Sequence, residues 1–170
     1  ADNYAYRAKE YNKINGDESN KWRTLTYEEW VYLLETRTNA EYLHGVAQIN
    51  AVKGLILLPD NWLCPLGICF KHGLYVGING YTNYAYHQTF NLEQWSEMEQ
   101  AGAVFLPAAD NRYSGVQVSS TEFGYYWTSS KKYSYQSYCL YFHAEELKIS
   151  FYQDNHIGSS VRLVKDVVTE

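Results

Sequence analysis

Basic residues are scarce in this chain of 170 residues, which holds 14 Lys and Arg against 19 Asp and Glu and has a net charge of -5. A nucleic-acid-binding protein normally presents a basic stripe to the phosphate backbone. In the C-terminal third the only basic pair is Lys131 and Lys132, and nearby carboxylates offset it. We therefore expect no nucleic-acid partner.

Long apolar runs are also missing from the sequence. No stretch approaches the roughly 20 apolar residues that a helix needs to cross a bilayer, so we expect no membrane-spanning segment. The chain begins Ala1-Asp2-Asn3 without a methionine. We expect a mature or trimmed form, from which any secretion signal has been removed.

Cysteines are few and odd in number, at Cys64, Cys69 and Cys139. An odd count does not describe a complete disulfide framework, although oxidation of Cys64 and Cys69 would close a short loop around a proline and a glycine. A zinc site would need more Cys or His ligands at short spacing, and His72 alone does not supply them beside Cys64 and Cys69. We expect three unpaired cysteines that act as small apolar side chains, and no metal or other cofactor.

Tyrosine is the residue that the chain has in excess, with 18 Tyr and 5 Trp against 6 Phe and 1 Met. A tyrosine ring is suited to half-buried positions, where its hydroxyl reaches water or a partner. Binding loops use tyrosine because it offers a large contact area at low conformational cost. The alternative is that tyrosines fill strand positions, for which they have a good propensity.

Two short helices are predicted from capping patterns. Thr26 followed by Glu29 has the form of a capping box, and apolar residues at helical spacing extend this helix over 27–36. Asn91 and Gln94 repeat the pattern for a second helix, which ends at a glycine. Two helices so far apart in sequence cannot form a bundle, so we expect them to pack on a sheet.

The strand signals lie mainly in the second half of the chain. Short apolar runs at 54–59 and 103–107 predict buried strands. Alternation over 139–143 and 147–152 predicts a hairpin, and 160–164 predicts a last strand. The predicted fold class is α+β with a mostly antiparallel sheet.

The remaining segments suggest one domain with long loops. Residues 1–20 are polar and are predicted to be a lead-in segment, which leaves 21–170 as a single domain. Residues 61–90 are rich in Gly, Asn and Tyr, and a long irregular segment of this kind is usually functional or mobile.

The strongest functional signal is the tyrosine-rich stretch at 131–159. Because side chains alternate along a strand, we expect its polar and phenolic residues to share the face opposite the apolar ones. An ordinary solvated face is the alternative, but exposed aromatics at this density favour binding. The predicted ligand-binding residues are Tyr133, Tyr135, Tyr138, Tyr141, His143, Lys148, Ser150, Tyr152, Asp154 and His156.

Five segments carry a resemblance to a known family. They are Trp-Arg-Thr-Leu-Thr at 22–26, Leu-Ile-Leu-Leu-Pro-Asp at 55–60, Val-Phe-Leu-Pro-Ala-Ala at 104–109, Gly-Tyr-Tyr-Trp-Thr-Ser-Ser at 124–130 and Ser-Val-Arg-Leu-Val at 160–164. The chain resembles the C-type-lectin-fold major paralogous domain proteins of gut bacteria and their phages, which include the variable proteins of diversity-generating retroelements.

The resemblance implies a C-type lectin-like fold, in which two helices flank a small antiparallel sheet with long loops and the terminal strands pair. It also implies a non-enzymatic module at a cell surface, outside the cell or at a phage tail tip, which displays 131–159 to a protein or glycan receptor. In the variable proteins of that family, diversification changes the adenines of asparagine codons. Many residues within 131–159 can arise from an asparagine codon in this way, whereas Lys132, Gln136 and Lys148 cannot.

The sequence agrees less well with other functions. The tripeptides that C-type lectins use to hold calcium are absent, so we expect no calcium site. Residues 23–30 also resemble the formylglycine-generating enzyme and its relatives, which act through a reactive cysteine pair, whereas Cys139 stands alone. That oxidase class and a structural adhesin, pilus or tail-fibre domain are the alternatives. We expect Arg162, within an apolar strand, to be paired internally.

Overall fold

The computed structural model describes residues 22–74, 88–113, 116–117 and 121–165. These residues form an α+β fold, as predicted, while the predicted lead-in 1–20 lies outside them. In chain order the elements are β1 (Arg23–Thr24), α1 (Tyr27–Val31), a π-helix (Tyr32–Thr36), a 3-10 helix (Ala40–Tyr42), β2 (His44–Ile49), β3 (Val52–Leu57), β4 (Thr89–Phe90), α2 (Leu92–Gln100), β5 (Val104–Pro107), β6 (Arg112–Tyr113), β7 (Val116–Gln117), β8 (Gly124–Tyr133), β9 (Gln136–Phe142), β10 (Leu147–Asp154) and β11 (Leu163–Val164).

The first helix begins with the predicted capping box. Thr26 Oγ1 accepts a hydrogen bond from the Glu29 amide at 3.1 Å, and Glu29 Oε2 accepts one from the Thr26 amide at 2.7 Å. The helical segment covers the predicted range 27–36, but its second half is a π-helix. Trp30, on its inner side, is buried in the core.

The second helix is also confirmed. The Asn91 side chain accepts from the Gln94 amide at 2.8 Å, and the Gln94 side chain accepts from the Asn91 amide at 3.0 Å. The chain leaves this helix through Gly102 at φ 94°, a left-handed conformation that glycine adopts without strain. None of the helices in the described residues is long and apolar enough to cross a membrane.

A central sheet of four strands has the order β4-β2-β3-β5. The two predicted apolar strands pair with each other, so that Leu55 lies opposite Leu106. Strand β2 was not predicted, because its sequence mixes apolar residues with His44, Gly45 and Gln48. It pairs antiparallel with β3 and parallel with β4.

The C-terminal sheet of three strands has the order β10-β9-β8. Its β9–β10 pair is the predicted hairpin, and β8 adds ten residues along the other edge of β9. Leu140 and Phe142 of β9 are fully buried in a core that also contains Trp30, Leu55 and Leu106. This core joins α1 to both sheets and fixes which side of the C-terminal sheet faces inward.

The terminal strands β1 and β11 pair antiparallel, with Thr24 opposite Leu163. The predicted last strand is shorter than expected, and Arg162 lies before it and is exposed rather than buried within an apolar strand. A different arginine is buried. The Arg37 side chain donates to the carbonyls of Leu33 and Leu43 and to Asp60, which satisfies the guanidinium within the fold.

Candidate functional site

The predicted binding residues are divided between the two faces of the C-terminal sheet. In the β9–β10 register Tyr138 lies opposite Tyr152, whereas Tyr141 lies opposite Lys148. Alternation along β9 places Tyr138 on the inner face with buried Leu140, and Tyr141 on the outer face. The prediction that all of these residues share one face is therefore wrong.

A bulge in β10 explains part of this error. The register shifts between Lys148 and Phe151, after which Phe151 lies opposite Cys139. A bulge adds one residue to a strand and reverses the alternation beyond it. As a result, Lys148 and Tyr152 face opposite sides although both positions are even-numbered.

A tyrosine–lysine cluster, made of Tyr27, Lys132, Tyr133, Tyr135, Tyr138 and Tyr152, lies at the end of the inner face beside the start of α1. The Lys132 ammonium lies 5.6 Å from the ring centroid of Tyr133, 5.1 Å from that of Tyr138 and 5.7 Å from that of Tyr152. These distances are within the range of cation–π attraction.

The ammonium is also hydrogen-bonded within the cluster. Lys132 Nζ donates to the Tyr138 hydroxyl at 3.1 Å. This hydrogen bond and the surrounding tyrosines raise the pKa of Lys132 above its ordinary value. The lysine therefore remains a cation at the centre of an aromatic surface.

The rings of the cluster form a continuous surface. Tyr27 of α1 stacks on Tyr138 with 4.4 Å between centroids. Tyr133 stacks on Tyr135 at 6.5 Å and meets Tyr152 edge-on at 6.2 Å. The exposed fractions are 52% for Tyr133, 64% for Tyr135 and 44% for Tyr152, so three of the rings are accessible to a partner.

An outer aromatic cluster, made of Phe123, Tyr125, Tyr141, His143 and Phe151, has a different character. Tyr141 lies 5.1 Å from Tyr125 and 5.0 Å from Phe151, with Phe123 at 6.1 Å. All four of these rings are half-buried. Burial, followed by the neighbouring Tyr141, raises the pKa of Tyr125 to about 12. Tyr141 is thus packed among rings rather than displayed.

The hairpin connection accounts for two more predicted residues. Lys148 Nζ forms an ion pair with Glu146 at 2.5 Å, and the hydrogen bond from Lys148 lowers the pKa of Glu146. His143 Nε2 lies 3.6 Å from the same carboxylate, and its Nδ1 accepts from the Glu145 amide. These contacts hold the turn between β9 and β10.

The last three predicted residues lie apart from one another. Asp154 accepts from the Gln136 side chain at 2.8 Å, on the same side of the sheet as Tyr152. Ser150 is exposed at the bulge. His156 is exposed beyond the end of β10, with Tyr113 at 5.6 Å.

Sequence reasoning missed two members of the tyrosine–lysine cluster. Lys132 is half of a basic pair in the sequence, and its position next to Tyr133 is the signal that could have identified it. Tyr27 lies more than 100 positions before Tyr138, and nothing in the sequence indicates that the two rings stack.

The cysteines do not form a common site. Cys139 is fully buried, and burial raises its pKa to about 12, while Gln153 Nε2 lies 3.4 Å from its sulfur. All three cysteines are unpaired, as predicted, but Cys64 and Cys69 are exposed, so that only Cys139 is a buried apolar side chain. Among the residues that the structure describes, no group of three or more His, Cys, Asp and Glu could hold a metal ion.

Comparison with protein-family models, with curated proteins and with solved structures finds no match to this chain.

Proposed function

We propose that this chain is a non-enzymatic binding module that recognises a protein or glycan receptor through the tyrosine–lysine cluster. The observation that carries the proposal is the arrangement of Tyr133, Tyr138 and Tyr152 around the Lys132 ammonium. Three of the cluster's rings are exposed, at the edge of a sheet whose inner face is otherwise buried.

The physical basis is the low cost of ordering such a surface. Tyrosine brings a large apolar ring and a hydroxyl while losing little rotamer freedom, which is why tyrosine is common at binding hot spots. Here the rings already contact one another and Lys132 before any partner arrives. A preorganised surface loses less conformational entropy on binding than a flexible one.

The proposed site is narrower than the predicted set. It contains the cluster and Asp154, whose carboxylate lies on the same side of the sheet as Tyr152. Tyr141, His143 and Lys148 are assigned to packing and to the hairpin turn. Ser150 and His156 lie outside the cluster.

We further propose that the domain has a C-type lectin-like fold, of the kind found in variable proteins of diversity-generating retroelements and their paralogues. Support comes from the pairing of the terminal strands β1 and β11 and from the two capped helices beside mostly antiparallel sheets. Such a module would act outside the cell, at a cell surface or at a phage tail tip.

The binding proposal is tested by the double variant Tyr133→Ser/Tyr152→Ser, probed on arrays of immobilised glycans and of purified bacterial surface proteins. We expect the wild type to bind a subset of spots and the variant to lose at least about tenfold in affinity there, or about 1.4 kcal/mol. Melting curves check that both proteins remain folded.

The matched control is Tyr32→Ser/Tyr42→Ser, which removes two tyrosines of similar exposure outside the cluster. The control should bind as the wild type does. Equal losses in the two double variants, or unchanged binding by Tyr133→Ser/Tyr152→Ser, would show that the cluster is not the recognition site. Whether the wild type binds the glycan spots or the protein spots identifies the class of the receptor.

A further inference from the structure

Two exposed cysteines, Cys64 and Cys69, lie in the segment after β3, apart from the proposed binding surface. Both ends of their segment are anchored. Trp62 on one side, and Ile68 and Phe70 on the other, pack against the core cluster beneath α2. The loop between these anchors therefore holds the two cysteines near each other.

A tight turn separates the cysteines. The Ile68 amide donates to the Pro65 carbonyl at 3.1 Å, which closes a four-residue turn over 65–68. Gly67 has φ +84°, the left-handed conformation that the third residue of a type II turn requires. Cys64 immediately precedes this turn and Cys69 immediately follows it. The turn reverses the chain direction between the two cysteines.

The Cys64 side chain already contacts the backbone next to Cys69. Cys64 Sγ donates to the Ile68 carbonyl at 3.1 Å. That carbonyl belongs to the peptide bond that joins Ile68 to Cys69, so its oxygen lies about 3 Å from the Cys69 Cα by standard backbone geometry. The Cys64 sulfur thus lies against the peptide bond that joins Ile68 to Cys69. A disulfide requires the two Cα atoms to lie within about 7 Å of each other, and a turn that closes the chain between the two cysteines favours such an approach.

We propose that Cys64 and Cys69 form a thiol–disulfide modification site, which an external disulfide of the glutathione type oxidises to an intramolecular bond. One cysteine thiolate attacks the external disulfide and expels one thiolate, leaving a mixed disulfide on the protein. The second cysteine thiolate then attacks the protein sulfur, forms the Cys64–Cys69 bond and expels the other thiolate. Two protein thiols are oxidised, one external disulfide is reduced to two thiols, and the two protons pass to the released thiolates.

Accessibility distinguishes this pair from the third cysteine. Exchange requires a thiolate that the external disulfide can reach. Cys139 is fully buried, so it serves as an unreactive internal reference.

The bond would lock the turn that carries Leu66, which is 100% exposed and follows Leu63, 82% exposed, by three positions. A ring of only six residues removes little entropy from the unfolded chain. We therefore expect local stiffening of the turn with little change in the melting temperature of the domain.

The experiment incubates the folded chain with oxidised glutathione, blocks free thiols with iodoacetamide and maps the tryptic peptides by mass. Cleavage after Lys53 and Lys71 yields one peptide with both Cys64 and Cys69. We expect this peptide to lack alkyl groups and to be lighter by two hydrogens than its reduced form. Cys139 should be alkylated only after unfolding.

The variants Cys64→Ser and Cys69→Ser distinguish the two chemical steps. Each should accumulate a glutathione adduct on its remaining cysteine, because no second thiol displaces the glutathione. A wild-type chain that accumulates the same adducts would overturn the proposal, as would one whose two thiols stay free or link separate chains. The wild-type peptide masses decide the question even if a variant fails to fold.

Discussion

The C-terminal sheet carries two aromatic groups that are built from similar residues in different surroundings. In the outer aromatic cluster, rings contact rings, and Tyr141 is half-buried among Tyr125 and Phe151. In the tyrosine–lysine cluster the rings surround an ammonium, and several of them are largely open to solvent. A count of tyrosines cannot separate a packing role from a binding role, whereas the surroundings of each ring can.

The difference follows from what covers each face. The inner face is buried where α1 and the central core pack on it, but Tyr138 and Tyr152 lie beyond that contact, beside the first residue of α1. On the outer face, Phe123 precedes β8 and packs on Tyr141 and His143. Tyr152 on the inner face is therefore more accessible than Tyr141 on the outer face, which reverses the expectation from alternation alone.

The largest expected effect is on stability, from Tyr141→Ala compared with Tyr152→Ala. Removing the half-buried Tyr141 ring should lower the free energy of unfolding by about 1.5–3 kcal/mol, since fully buried aromatics cost about 3–5 kcal/mol. Removing the exposed Tyr152 ring should cost less than about 1 kcal/mol. Urea unfolding of the two variants and the wild type measures both values. Equal losses would mean that both clusters are packing elements.

A smaller effect is expected from Lys132→Met, which removes the charge but keeps a stem that can cover the rings. The variant should bind the array spots several-fold more weakly, because the rings lose the cation that holds them together. Lys132→Arg should retain most of the binding, since a guanidinium also stacks on aromatic rings. Binding curves on the spots that the wild type binds measure the affinity of the wild type, Lys132→Met and Lys132→Arg. If Lys132→Met binds with wild-type affinity, the tyrosine rings form the site without a contribution from the lysine.

Local patterns in the sequence predicted local structure well. The capping boxes at Thr26 and Asn91 involve residues three apart, and both form as expected. The apolar runs predicted strands β3 and β5 because buried strands are bounded by turn-forming residues. The hairpin at 139–152 was predicted from the alternation of apolar and polar residues along its two strands.

Features that depend on distant contacts were not predicted. Strand β2 lies in the middle of the central sheet although its sequence contains Gly45 and Gln48, because tertiary pairing outweighs strand propensity. The bulge after Lys148 has no sequence signal, yet it determines the side on which Tyr152 lies. The contact of Tyr27 with Tyr138 depends on the docking of α1, so the composition of the site could not be deduced from the hairpin alone.

The smallest expected effect is on the pH dependence of stability, through the half-buried phenol of Tyr125. Its pKa is about 12 in the folded chain and about 10 for an unperturbed tyrosine. The unfolded chain therefore releases this proton first as the pH rises. The stabilising contribution is complete below pH 10 and is lost as the pH rises through 12.

The variant Tyr125→Phe isolates this contribution. Near neutral pH its urea midpoint should match that of the wild type, apart from any small effect of losing the hydroxyl on stability. Above about pH 10 its urea midpoint should fall less steeply with pH than that of the wild type. Buried Tyr126, whose pKa is also raised, keeps part of the alkaline decline in both proteins. A phenolate absorbance difference between the two proteins that titrates near pH 10 would show that Tyr125 is solvated, and the outer cluster would then resemble the tyrosine–lysine cluster in accessibility.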